Sequence, residues 1–131
     1  MKTLKLLLFV IVAALLVVSC QYTFIIPEEV PVIPDGPNAE QVSFSQSVLP
    51  IFNNNNNCTA CHKTGGQSPD LTSGKAYASL NNARYINKTT PEESLLYLHP
   101  NPDTSTHQQK KYTATQAAIV LTWITQGAKN N

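Results

Sequence analysis

The amino-acid sequence predicts an all-α domain of about four short helices, set behind an export leader and a proline-rich spacer. Three observations predict it. Two capping-box sequences, Thr90-Pro91-Glu92-Glu93 and Thr113-Ala114-Thr115-Gln116, stand at the head of apolar segments. A hydroxyl residue three places before Glu or Gln is the local signal of a helix start. Ile119, Val120, Trp123 and Ile124 recur at helical spacing. Pro27, Pro31, Pro34 and Pro37 crowd one stretch upstream of residue 40, which sets residues 40–131 apart as the folding unit.

A chain of 131 residues allows one small domain with extensions. Lys2 and Lys5 precede an unbroken apolar run from Leu6 to Val18, too short for a comfortable membrane span and suited to a signal peptide over residues 1–19. The run ends in Val17-Val18-Ser19-Cys20, which resembles the bacterial lipoprotein box. That resemblance implies acylation of Cys20, a membrane anchor, and export to the periplasm or cell exterior. The alternative is an uncleaved anchor extended through Tyr22, Phe24, Ile25 and Ile26, and it tethers the chain equally. Residues 20–39 then read as an extended spacer rather than an edge strand, because prolines interrupt the backbone donors.

Within 40–131 the first helical segment is Val42, Phe44, Val48, Leu49, Ile51 and Phe52, with Pro50 expected to bend or end its hydrogen bonding. Asn53 to Asn57 reads as a solvated loop. Ser73 is placed to cap a helix over 74–84, with Tyr77 and Leu80 on one face. The Thr90 box launches Ser94 to Leu98, which His99-Pro100 ends. The Thr113 box opens the strongest helix, over 117–126, and Gly127 stops it.

The chemistry sits in Cys58-Thr59-Ala60-Cys61-His62. C-x-x-C-H is the attachment sequence for c-type haem. Two thiols can add across the haem vinyl groups, and the adjacent imidazole is held within reach of the iron. A bound haem also supplies the apolar body that a small domain, poor in aromatic residues, otherwise lacks. The three cysteines do not form the spread pairs of a disulfide framework. Nine Lys and Arg against eight Asp and Glu leave a charge of +1, with no footprint for nucleic acid.

Residues 42–129 resemble a cytochrome c domain. The likeness is to small bacterial members that open with a segment like Ser43-Phe44-Ser45 and Val48-Leu49-Pro50-Ile51-Phe52. Those members close with one like Leu121-Thr122-Trp123-Ile124-Thr125-Gln126-Gly127-Ala128. The resemblance implies covalent haem on Cys58 and Cys61, His62 as proximal iron ligand, packing of Phe52 and Trp123 between first and last helices, and electron exchange with redox partner proteins. The chain departs from the family at the sixth ligand. Its only methionine is Met1, and the loop where a methionine is usual reads Thr104-Ser105-Thr106-His107-Gln108-Gln109-Lys110-Lys111. His107 is the expected distal ligand, His99 is its rival, and an open position that binds small ligands is the third possibility.

Outside the haem class, Cys58 and Cys61 with two of His62, His99 and His107 offer the donor types of a structural zinc site, although adjacent Cys61 and His62 are awkward joint ligands. A thiol-redox centre lacks the surrounding βαβ pattern. Asp70 and the Glu92-Glu93 pair read as turn and cap residues rather than acid–base catalysts. Lys110-Lys111 reads as a solvated pair. No nucleophile constellation is visible, so an enzyme is not expected.

Overall fold

The computed structural model describes residues 40–107, 109 and 111–131. The signal-peptide reading of 1–19, the lipidation of Cys20 and the spacer over 20–39 lie outside the described residues. Among the described residues the regular structure is helical, with no strand, and the all-α expectation holds there. None of the described helices is long and apolar enough to cross a membrane.

The chain enters through a π-helical turn, Phe44–Val48, that runs directly into α1 (Leu49–Asn53). Ser43 caps it by accepting from the Gln46 N–H. Pro50 explains the wide turn. It has no N–H and its ring would crowd the Gln46 carbonyl, so the chain loosens ahead of it. Val48 and Leu49 donate back five residues, to the Ser43 and Phe44 carbonyls. Pro50 thus bends the hydrogen bonding without ending the helix.

A single 3-10 turn, Asn54–Asn56, follows α1. Asn55 and Asn56 have φ of 53° and 52°, left-handed values that asparagine tolerates better than most residues. The solvated-loop reading needs correction at the ends of the run. Asn54 to Asn56 are exposed, but the Asn53 amide donates to the Leu49 and Leu71 carbonyls, and the Asn57 amide donates to the Ile51 carbonyl.

The middle helices are shorter than the sequence suggests. α2 spans Ala76–Leu80, and Ser73 does not cap it. The Thr72 carbonyl instead accepts from the Lys75 and Ala76 N–H groups, which delays the start, and Asn81 leaves helical geometry at ψ 64°. The Thr90 box yields only a 3-10 turn, Pro91–Glu93. The Thr90 hydroxyl donates to the Glu93 carboxylate at 2.6 Å rather than accepting from backbone, so the reciprocal box is broken. Ser94 is extended, and α3 (Leu95–Leu98) restarts behind it.

The last helix, α4 (Ala114–Thr125), carries a complete capping box between Thr113 and Gln116 and begins earlier than the residue-117 start expected. Its exit is a Schellman turn. Gly127 sits at φ 98°, its N–H reaches the Ile124 carbonyl, and the Ala128 N–H reaches the Trp123 carbonyl.

One core joins these pieces. Trp123 is 1% exposed and Phe52 0%. The Phe44 ring packs on Trp123 at 5.2 Å, and the Tyr77 ring meets Phe44 edge-on at 5.3 Å, so the entrance turn, α2 and α4 share an aromatic cluster. The polar tips are satisfied. Trp123 Nε1 donates to the Lys129 carbonyl and the Tyr77 hydroxyl to the Ala128 carbonyl. Asn131 then ties the two ends together. Its carbonyl accepts from the Ser45 N–H, and its side-chain oxygen accepts from the Phe44 N–H at 2.8 Å.

Candidate functional site

The exit from α1 delivers the cysteine motif into a turn of its own. The Cys58 N–H bonds the Phe52 carbonyl at 2.9 Å. Cys61 and His62 then both donate to the Cys58 carbonyl, at 3.2 and 2.9 Å, which winds 58–62 into one helical turn. Residues three and four apart share a face of such a turn. Cys58, Cys61 and His62 accordingly all line a single cleft of about 710 Å³, within the range of about 300–1,000 Å³ that holds a cofactor-sized molecule. The Cys61 thiol is exposed and free of any disulfide.

The His62 ring is oriented from behind. Its Nδ1 lies 3.2 Å from the Pro69 carbonyl, and the Leu71 N–H returns to the His62 carbonyl at 2.9 Å. A carbonyl accepts only from a protonated Nδ1, so this contact fixes the tautomer and leaves Nε2 with its lone pair.

Facing it across the cleft is the loop between α3 and α4. His107 presents its ring 6.1 Å from that of His62, with the planes 25° apart. His99, the C-cap of α3, stands edge-on to His107 at 5.1 Å. All three histidines line the same cleft. The loop carrying His107 is laced to the end of α3. The Thr106 hydroxyl donates to the His99 carbonyl at 3.0 Å, the Thr104 hydroxyl donates to the Leu98 carbonyl at 3.0 Å, and Lys111 Nζ donates to the Thr104 carbonyl. The Tyr112 N–H closes its base on the Pro100 carbonyl at 2.9 Å.

The walls are mainly apolar, from Leu71, Tyr85, Leu95 and Leu96. Tyr112 forms part of the floor. Its hydroxyl donates to the Leu96 carbonyl at 3.1 Å, and burial, with a lesser contribution from the nearby Cys58, pushes the phenol well above its ordinary pKa. It is therefore a neutral donor. The lining contains, among the described residues, Arg84 and no carboxylate. Among the described residues, no three of His, Cys, Asp and Glu gather closely enough to hold a bare metal ion.

Sequence reading missed Pro69, Tyr85, Arg84 and Tyr112 as parts of this site. A backbone carbonyl carries no side-chain signal, and single aromatic residues on separate loops have no periodicity to betray a shared wall. Compared with models of protein families, with curated proteins and with solved structures, the chain matches none.

Proposed function

We propose that this chain is a membrane-tethered c-type cytochrome domain that relays electrons between redox partner proteins. The observation that carries the reading is the pairing of His62, fixed beside two cysteines on one turn, with a second imidazole across the cleft. An imidazole nitrogen binds a first-row metal at about 2 Å, and the ring centre lies roughly 1 Å behind that nitrogen. Two imidazoles on opposite sides of one iron therefore hold their ring centres about 6 Å apart. The His62 and His107 ring centres, stacked 6.1 Å apart, have a separation of that size.

In this reading Cys58 and Cys61 would hold the haem by thioether links, and His62 and His107 would bind its iron, with His99 beside His107. The haem supplies one-electron Fe(III)/Fe(II) exchange. The chain supplies the rest. The Pro69 carbonyl holds the His62 tautomer, the leucine and tyrosine walls lower the local dielectric, and Arg84 offers the lining a positive charge for acidic groups at the cofactor edge. Histidine in place of methionine as sixth ligand lowers the potential relative to a His/Met domain. The lipid anchor at Cys20 rests on the lipoprotein-box resemblance and holds this relay on the outer side of a membrane. A zinc module would need four donors around one point, and among the described residues no three of His, Cys, Asp and Glu stand together in that way.

Axial-ligand variants test the assignment. His107→Ala is expected to convert a low-spin spectrum to a carbon monoxide-binding, high-spin one, while His99→Ala stays low-spin. The reverse pattern would assign His99 instead, and no change in either would put the sixth ligand elsewhere.

A further inference from the structure

Directly after His62, the segment 63–72 folds back on itself through Asp70. One Asp70 oxygen accepts from the Thr64 hydroxyl at 2.6 Å. The other accepts from the Thr72 hydroxyl at 2.6 Å and from the Thr72 N–H at 3.1 Å. Lys75 closes the cluster, its ammonium 2.9 Å from the Thr64 hydroxyl and 3.8 Å from the Asp70 carboxylate. Backbone bonds run in parallel, from Gln67 N–H to the Cys61 carbonyl and from Leu71 N–H to the His62 carbonyl. Thr64 lies two residues after His62, and Asp70 directly follows Pro69, the residue whose carbonyl meets His62 Nδ1. The Thr64–Asp70 bond therefore clasps the two ends of the loop that carries the Pro69 carbonyl back to His62.

We propose that Asp70 is a positioning residue for the proximal histidine, holding the Pro69 carbonyl on His62 Nδ1 and thereby tuning the electron density that His62 offers a bound haem iron. The inference rests on the haem reading above. A carbonyl that accepts strongly from Nδ1–H makes the imidazole a better donor and favours the ferric state. Loosening the clasp lets the carbonyl drift, weakens that donation and raises the midpoint potential. The lowered pKa of Asp70, due first to the Thr64 hydroxyl and next to Thr72, agrees with a carboxylate held charged inside the clasp.

The test uses the full-length haem-loaded protein and three variants, Asp70→Asn, Thr64→Val and Thr64→Ser. Midpoints are measured by potentiometric titration with soluble mediators, and the exchange rate of the His62 Nδ1 proton by NMR. Asp70→Asn and Thr64→Val are expected to raise the midpoint and speed Nδ1 proton exchange while the spectrum stays low-spin. Thr64→Ser, which keeps the hydroxyl, is expected to match the parent. Should Asp70→Asn fail to fold, the Thr64 pair carries the same comparison. Unchanged midpoints and exchange rates in folded variants would overturn the role of Asp70 and leave the proposed function standing. A parent protein that carries no covalent haem would overturn the function itself.

Discussion

Around Trp123 the protein is held by rings and aliphatic side chains: Phe44, Val48, Phe52, Val120 and Ile124 are all within 3% of full burial. Around His62 it is held differently. Helices there last one turn, and the loops are laced by hydroxyls and a carboxylate: Thr64, Asp70, Thr104 and Thr106. The first region gains its stability from apolar burial, which is large and insensitive to small displacements. The second depends on directional bonds worth about 1 kcal/mol each, set around a cleft that its own side chains do not fill. A molecule built this way has one half ordered by apolar burial and another ordered by directional bonds around an open cleft.

The comparison can be broken most forcefully from the apolar side. Trp123→Ala removes the ring shared by the entrance turn and α4, and is expected to cost about 3–5 kcal/mol. That is a large part of the stability of a domain this small, and urea denaturation should show a sharply lowered midpoint or an unfolded chain. On the other side, Cys58→Ala combined with Cys61→Ala is expected to release haem on denaturing wash. Amide protection should then fall through 57–112 while α4 stays protected, as read by hydrogen exchange. Equal loss in both regions would mean that they are one cooperative unit.

The capping box of α4 shows how far local sequence reaches. Thr113→Ala is expected to cost about 1 kcal/mol, measured by the same denaturation, with the cleft around His62 unaffected. This helix was legible because its cap, its apolar spacing and its Gly127 stop lie within one short stretch. The grouping of Cys58, Cys61 and His62 was legible for a related reason: their spacing puts all three on one turn, facing one cleft. The Thr90 box misled because the Thr90 hydroxyl prefers the Glu93 carboxylate to a backbone N–H, a choice that spacing cannot reveal. Ser73 misled because the Thr72 carbonyl had already taken the first helical donors. The Tyr112 floor and the Asn131 clip join residues far apart in the chain, and the Pro69 carbonyl carries no side-chain signal, so no periodicity announces any of them.

The smallest expected effect concerns acid. The carboxyl of Asp70 is held below its ordinary value by the Thr64 and Thr72 hydroxyls. A depressed folded value means stabilisation that is complete above the unfolded carboxylate value and is lost as pH falls through the folded one. Urea midpoints followed from neutral to strongly acidic pH should therefore fall less steeply for Asp70→Asn than for the parent. Parallel curves would show that the clasp owes nothing to the charge.

The most direct measurement is the absorption spectrum of the full chain, produced in a bacterium with haem-attachment machinery and examined after a denaturing wash. The proposed electron-transfer role requires a c-type haem spectrum that survives denaturation, with one haem per chain, low-spin in both oxidation states. A chain that emerges colourless, with zinc in its place, would contradict it.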